Sequence, residues 1–203
     1  MENQERLLDL VFDFDRDVAK HKVTIDKSTI ESIPRLSTTP RDIFPAKQFL
    51  NGKNCLTGGS GWWKYEFCFG RRVRQIHYEK NLEVVSVNLG DFDGEAHLEW
   101  IKANPDKKPK PKETRTEVSH FYQGGDVCTM TNEKRKTEVK LKCNKSGGSS
   151  TAVVMYLLEP RTCEYILVVE AAVICDILPH VDEETGLVPP DIFPSEDLNA
   201  IKY

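Results

Sequence analysis

Two adjacent tryptophans open a segment rich in aromatic residues, Gly61-Trp62-Trp63-Lys64-Tyr65-Glu66-Phe67-Cys68-Phe69-Gly70. Neighbouring side chains on a strand point to opposite faces, so both indoles cannot be core if one face of the strand meets water. On one interpretation, one indole packs inside and the other covers an edge. On the other, at least one indole is an exposed platform for a sugar ring, whose C–H patches lie well on an aromatic face. We expect Trp63 to be the more exposed indole.

The side chains that most often carry catalysis form no catalytic pattern in this sequence. No two of the five histidines have a metal-ligand spacing such as His-x-x-x-His. There is no Gly-x-Ser-x-Gly elbow, phosphate-binding loop or dinucleotide fingerprint. Carboxylates are numerous, but the sequence singles out no pair for glycoside hydrolysis. We therefore expect no enzyme activity, no metal and no cofactor.

The sequence contains six cysteines, and none of them belongs to a Cys-x-x-Cys pair, which argues against a zinc ribbon or a thioredoxin-type site. An even number of widely spaced cysteines beside strand-like runs predicts three disulfides and an oxidising compartment. Sequence alone leaves many pairings open. The N-terminus lacks a signal-peptide pattern, which by itself would indicate the cytosol. We expect instead that the sequence is a fragment of a protein of the secretory pathway.

The tryptophan segment and the cysteines lie in or beside predicted β-strands. Short runs rich in β-branched and aromatic residues, separated by glycine-rich turns, predict strands. The predicted strands lie near residues 64–69, 73–78, 83–89, 116–122, 137–143, 152–158 and 163–170. Many short strands with turns between them predict an all-β barrel or sandwich.

The flanks differ from this β region. We predict an N-terminal extension over residues 1–47, with a short helix or irregular structure, one domain over 48–180 and an irregular acidic tail over 181–203. The hydrophobic fraction of 39% fits a single core with polar flanks, and the net charge of −4 argues against a nucleic-acid partner. No apolar run reaches the roughly 18 residues of a membrane span, so we expect no insertion into a membrane.

Taken in order, the motifs resemble the mannose-6-phosphate receptor homology (MRH) domain, and within that family the lectins of the endoplasmic reticulum. Trp-Trp-x-Tyr-Glu-Phe-Cys at 62–68 is followed by Gln75-Ile76-His77, although Ile76 stands where an aromatic residue is expected. Arg135 comes seven residues after Cys128, and residues 159–165 match the Glu-x-x-x-Cys-x-Tyr element. The resemblance covers about residues 48 to 180.

The resemblance implies a fold, a set of disulfides and a set of binding residues. The fold is a flattened β-barrel or β-sandwich, with the pairs Cys55–Cys68, Cys128–Cys163 and Cys143–Cys175. One mannose ring is expected to be held by four residues, Gln75, Arg135, Glu159 and Tyr165. Trp62 and Trp63 are expected to contact the neighbouring sugar and to favour an exposed α1,6-linked mannose.

The chemistry of the four side chains suits a ring of hydroxyl groups. Arg135 can only donate hydrogen bonds and ionised Glu159 can only accept them, so each fixes the direction of a hydroxyl. We expect Glu159 to be engaged by Arg135 as well as by the sugar. Each residue also has an ordinary structural interpretation. Arg135 and Glu159 suit a surface ion pair, Tyr165 suits the core, and Gln75 suits an exposed strand position.

By the same resemblance, the expected function is to bind trimmed high-mannose N-glycans on misfolded glycoproteins in the lumen of the endoplasmic reticulum. The implied partner is the adaptor of the membrane ubiquitin-ligase complex that acts in endoplasmic reticulum-associated degradation. Two alternatives stay open: a protein-interaction module that has lost useful sugar binding, and an accessory subunit of a glycan-processing enzyme. Asn144-Lys145-Ser146 is in addition a candidate N-glycosylation acceptor.

Overall fold

The computed structural model describes residues 44–144 and 152–190. The helix expected near the N-terminus and residues 191–203 of the tail lie outside this range. Helix α1 spans Phe44–Leu50, and strands β1 to β4 span Leu56–Gly58, Lys64–Cys68, Arg72–Glu79 and Leu82–Phe92. Helix α2 (Gly94–Ala103) and a 3-10 turn (Pro105–Lys107) precede β5 (Glu117–Gln123) and β6 (Lys136–Cys143). Then come β7 (Val153–Arg161), β8 (Glu164–Ala171), α3 (Ala172–Ile177) and a 3-10 turn (Leu178–His180).

The strands form one eight-stranded sheet in the order β1-β2-β3-β4-β5-β6-β8-β7. Pairing is antiparallel except between β6 and β8, which run parallel because β7 is inserted beyond β8. The two edge strands approach each other: a Cβ added at Gly58 of β1 would lie 2.9 Å from the Cβ of Met155 on β7. The sheet is therefore nearly closed into a barrel, and the predicted all-β fold is confirmed.

The core fills the inside of this curved sheet. Its largest fully buried side chains include Phe67, Tyr122, Leu141, Leu167 and Ile174. Helix α1 closes one side through Phe49, whose ring centroid lies 5.0 Å from that of Phe69 and 6.1 Å from that of Phe67. Burial of such side chains contributes about 1.5–3 kcal/mol each, so this cluster is the main source of stability.

Helix α2 was not expected from the sequence pattern. Asp93 caps it, because the Asp93 carboxylate accepts a hydrogen bond from the Ala96 N–H at 2.9 Å. His97 and Ile101, four residues apart on one face, are buried. The helix thus packs against the sheet through this face and through Trp100, whose ring stacks on that of Phe121 in β5 with centroids 5.2 Å apart.

The chain after α3 is anchored to the domain. Val181 and Val188 belong to the buried core, beyond the boundary predicted at residue 180. Arg115, which is buried, donates hydrogen bonds to the carbonyls of Leu178 at 3.0 Å and Val181 at 2.8 Å. Residues 181–188 therefore pack with the β region while forming no helix or strand, and the predicted boundary of the tail stays a prediction. No helix among the described residues is long and apolar enough to cross a membrane.

Candidate functional site

Arg135, Cys163 and Tyr165 meet where β6 and β8 begin. The Arg135 guanidinium donates from Nη1 to the Tyr165 hydroxyl and, at 3.1 Å, to the Cys163 sulfur. Its carbon Cζ lies 5.8 Å from the centre of the Tyr165 ring. The Arg135 Nε is buried and has no hydrogen-bond partner among the described residues. A buried donor without a partner is costly, so an acceptor that reached this N–H would gain a favourable hydrogen bond.

Glu159 reaches the same cluster from the C-terminal end of β7. Its Oε1 accepts a hydrogen bond from the Cys163 N–H at 2.7 Å. Burial raises the pKa of the Tyr165 phenol; the positive charge of Arg135 opposes this shift, and the negative charge of Glu159 adds to it. The expected pairing of Glu159 with Arg135 is wrong for this structure: among the described ion pairs none joins the two. Both side chains act instead on Tyr165 and Cys163.

Gln75 lies on β3 with its side chain on the inner face of the sheet. Its register partners are Tyr65 on β2 and Val87 on β4, and both of these pack against the hydrophobic core. Directly opposed residues share a face, so Gln75 faces the same interior as Tyr165. Within the described part of the chain its amide makes no hydrogen bond, so both its donor and its acceptor are free.

The segment that carries Arg135 is hydrogen-bonded to β4 at Asn88, the residue next to the partner of Gln75. Arg74, the neighbour of Gln75 on β3, pairs with Asn88 on β4. The carbonyl of Asn88 accepts a hydrogen bond from the Asp126 N–H at 2.8 Å. The carbonyl of Asp126 in turn accepts a hydrogen bond from the Arg135 N–H at 3.1 Å. Gly125 permits this approach, because a Cβ there would lie 2.6 Å from the Asn88 carbonyl oxygen. The backbone thus brings the Gln75 strand and the Arg135 segment together.

The two tryptophans lie in a bend before β2, not on a strand. The prediction that Trp63 is the more exposed is wrong: Trp62 has 63% of its surface exposed, whereas Trp63 is half-buried. The strand-based argument for opposite faces failed because the bend frees both rings from strand geometry. Both indoles contact His77, which the sequence analysis did not single out as a contact.

The three disulfides have the predicted pairing: Cys55–Cys68, Cys128–Cys163 and Cys143–Cys175. Cys128–Cys163 joins the segment before Arg135 to the β7–β8 turn, and so it supports the binding cluster directly. Cys55 and Cys68 lie close to Glu66. Their sulfurs are bonded to each other and Glu66 forms an ion pair with Arg74 at 2.8 Å, so these groups are not free to hold a metal.

The candidate acceptor Asn144 follows β6 and is half-buried, and its Nδ2 donates to a Glu170 carboxylate oxygen at 3.4 Å. Lys145 and Ser146, which complete the triplet, lie outside the described residues. Glycosylation of Asn144 stays a prediction.

Together the cluster offers one cationic donor with a buried, unpartnered N–H, one carboxylate acceptor and one phenol. Gln75 adds an amide on the inner face of the same sheet. This set can bind a neutral, multiply hydroxylated ring, because hydroxyls donate to Glu159 and accept from Arg135 at the same time. Hydrogen bonds to charged partners are the stronger ones, contributing about 1.5–3 kcal/mol each.

Comparison with known proteins gives the family. Residues 53–128 match the family model described as "Glucosidase II beta subunit-like protein". Over 149 residues, or 71% of this chain, the sequence is 46% identical to "Endoplasmic reticulum lectin 1" of Homo sapiens. The chain carries an MRH domain. The resemblance inferred from the tryptophan, arginine and cysteine motifs is thereby confirmed.

The MRH domain accounts for only part of the length of its curated relatives. The chain spans 31% of human endoplasmic reticulum lectin 1. A "Protein OS-9 homolog" of Arabidopsis thaliana is 33% identical over 124 residues, which is 61% of this chain and 42% of that protein.

Two solved MRH structures are also similar to this chain. The Yos9 domain "complexed with alpha3,alpha6-Man5" has a TM-score of 0.45 and 21% identity, and covers 64% of this chain and 81% of its own. The glucosidase II beta domain "bound to mannose" has a TM-score of 0.38 and 16% identity, with 63% of this chain and 98% of that chain covered.

Proposed function

We propose that this MRH domain binds mannose of trimmed high-mannose N-glycans and catalyses no reaction. The observation that carries the proposal is the buried, unpartnered Nε of Arg135, held beside the Tyr165 hydroxyl and within the cluster that contains Glu159. A mannose hydroxyl would accept from this N–H and donate to the carboxylate. Gln75, which faces the same interior, would supply a further contact to the ring.

The biological setting follows from the relatives. We infer that the domain works in the lumen of the endoplasmic reticulum and recognises glycans on misfolded glycoproteins for degradation. The names of the relatives, endoplasmic reticulum lectin 1 and OS-9, support this setting, and so do the three disulfides, which persist in oxidising compartments. The adaptor of the membrane ubiquitin-ligase complex is the protein partner that this role requires.

A glycan array tests the proposal. The wild-type domain should bind high-mannose glycans, and Arg135→Ala should abolish binding to every mannose-containing glycan. A single lost charge-assisted bond weakens binding by roughly 10- to 100-fold, and loss of Arg135 also leaves the Tyr165 phenol without its donor. Arg161→Ala is the matched control. This substitution removes the same charge, but from a side chain that is 80% exposed and lies two residues after Glu159. Equal loss in both variants would contradict the proposed site.

A second candidate function is supported by the family model, whose description names the glucosidase II beta subunit. In this role the domain would be the accessory subunit of a glycan-processing enzyme. The adjacent pair Trp62-Trp63 argues for the lectin role, because it places an exposed indole against His77, two residues along β3 from Gln75. Copurification of tagged protein with a glucosidase catalytic chain, and not with glycoproteins carrying trimmed glycans, would favour the accessory role.

A further inference from the structure

His77 supports the most exposed aromatic ring described in the domain. The Trp62 indole stacks on the His77 imidazole with ring centroids 3.5 Å apart and planes inclined by 8°. His77 is buried, with 7% of its surface exposed, whereas Trp62 is 63% exposed. One face of the indole therefore rests on a fixed ring and the rest of the side chain meets solvent.

The contact between the two residues involves the backbone as well as the rings. The Nδ1 of His77 lies 2.9 Å from the carbonyl oxygen of Trp62. Because a carbonyl only accepts, His77 donates from Nδ1. One side chain thus fixes both the ring and the main chain of Trp62, in a bend where no strand pairing holds the backbone.

The same imidazole also holds Trp63. The Trp63 ring meets the His77 ring edge-on, with centroids 6.2 Å apart and an angle of 79°. The Nε2 of His77 is buried without a hydrogen-bond partner among the described residues, and the nearest recorded charge is a Glu79 carboxylate oxygen at 3.6 Å. The His77 ring therefore contacts both indoles, and its bond to the Trp62 carbonyl is the one hydrogen bond it makes within the described residues.

An unsupported indole at this exposure would exchange between rotamers, and ordering it on binding would cost part of the free energy gained from stacking. Stacking on His77 orders it in advance. Gln75, two residues before His77 on the same strand, belongs to the proposed mannose site. The platform and the mannose site are therefore linked by a single strand.

We propose that His77 is a positioning residue that holds Trp62 as a preformed platform for the sugar next to the mannose bound by Arg135. The inference rests on the proposed function. On this inference, the Trp62 indole is the surface that contacts the neighbouring sugar. Its stacking on His77 lets the domain distinguish one glycan linkage from another. His77 itself does not contact the ligand.

Two substitutions separate the two contacts of His77. His77→Phe keeps a flat ring under the indole and removes the Nδ1 donor. His77→Asn keeps a donor near the position of Nδ1 and removes the ring. If stacking positions Trp62, His77→Asn should reduce the preference for a glycan with an exposed α1,6-linked mannose over a capped one by about fivefold. His77→Phe should retain most of that preference, and neither variant should change the affinity for methyl α-mannoside by more than about twofold.

A double-mutant cycle with Trp62→Ala gives the sharper test. If His77 acts through Trp62, adding His77→Asn to Trp62→Ala should not lower the linkage preference further, because the ring it supports is already absent. Fully additive losses, or a His77→Asn variant with unchanged linkage preference, would overturn the proposal.

A readout independent of glycans measures the platform itself. NMR relaxation of the Trp62 indole N–H should show an ordered ring in the wild type and in His77→Phe, and a more mobile ring in His77→Asn on the picosecond–nanosecond timescale. Equal order in all three proteins would overturn the positioning role even if a variant loses stability. A wild-type protein that binds no mannose would overturn the proposed function. Normal mannose binding with linkage preference untouched by His77→Asn would overturn the role of His77 alone.

Discussion

The Arg135 guanidinium donates a hydrogen bond to the hydroxyl of Tyr165, a residue of which only 6% is exposed. The ring of Tyr165 belongs to the core, while its hydroxyl belongs to the binding cluster. Tyr165→Phe should therefore keep the fold and weaken mannose binding by about tenfold or more, because one hydroxyl contact is lost and Arg135 loses an acceptor. Isothermal titration with methyl α-mannoside measures this loss.

Tyr122→Phe is the matched control for that experiment. The Tyr122 hydroxyl is fully buried and accepts a hydrogen bond at 3.1 Å from the N–H of Gly70, in the turn between β2 and β3. Its loss should lower the free energy of unfolding by about 1 kcal/mol and leave mannose affinity unchanged. If the two variants weaken binding equally, Tyr165 serves only the fold.

The disulfides Cys128–Cys163 and Cys143–Cys175 close loops of similar length, with sequence separations of 35 and 32 residues. Replacing either pair by serines should therefore cost a similar stability, roughly 3–4 kcal/mol. Only the first pair should also abolish mannose binding in the fraction that remains folded, since Cys163 contacts both Arg135 and Glu159. Urea unfolding and glycan binding, measured on both variants at low temperature, distinguish the two effects. Equal binding by the two variants would show that Cys163 does not organise the site.

The two tryptophans should respond differently to truncation. Trp62→Ala removes an exposed ring, so the fold should persist and the preference for an exposed α1,6-linked mannose should fall by about 1 kcal/mol. Trp63→Ala removes a half-buried ring and should lower the melting temperature as well. Affinities for capped and uncapped glycans, with circular dichroism on each variant, give the comparison. Equal weakening of both glycans in both variants would mean that the tryptophans do not distinguish the linkage.

Stability should depend on pH through two buried histidines, His97 and His120. Burial lowers the pKa of His120 from 6.5 to about 3, with a further contribution from neighbouring His97. Burial likewise lowers the pKa of His97. Between pH 6.5 and 3 the unfolded chain binds protons that the folded chain excludes, so stability is full above the unfolded pKa and falls as the pH decreases.

The predicted loss from His120 is about 1.4 kcal/mol for each pH unit below 6.5. Urea midpoints between pH 7.5 and 4.5 measure it. A His120→Asn variant should show a shallower decrease than the wild type. A wild-type midpoint that stays constant down to pH 4.5 would contradict the assignment.

The domain should release no mannose from high-mannose glycans. The site as described brings no second carboxylate into contact with the Arg135–Tyr165 pair beside Glu159. Retaining and inverting glycosidases both need a pair of carboxyl groups. Free mannose released by the purified protein, and lost in Glu159→Gln, would be the contrary result.

Alternation and turn chemistry were sufficient to predict most of the strands, because β-branched runs bounded by glycine leave few other structures. Strand β1 was missed because its three residues are too short to show a pattern. Helix α3 continues the apolar run of β8, so nothing in residue type marks the change from strand to helix. Helix α2 had a readable signal in the Asp93 cap and the i, i+4 pair of His97 and Ile101.

The site was less predictable than the fold. The resemblance of the motifs to the MRH family singled out Arg135, Glu159 and Tyr165, and the structure brings these three together. The sequence could not show that Arg135 and Glu159 share partners without bonding to each other, because that depends on the position of Cys163 in a turn. The sequence also could not show that Trp62 is exposed and stacks on His77. A bend has no regular alternation of side chains from which exposure can be predicted.

The parallel pairing of β6 with β8 has a consequence for the timing of assembly. Arg135 and Tyr165 are 30 residues apart and meet only when β8 has docked against β6 from beyond β7. A chain leaves the ribosome from its N-terminus, so Trp62, Gln75 and Arg135 emerge well before Tyr165. A nascent chain that still lacks residue 165 lacks part of the proposed mannose site. On the proposed function, the domain therefore captures no glycan before its own β-barrel is complete.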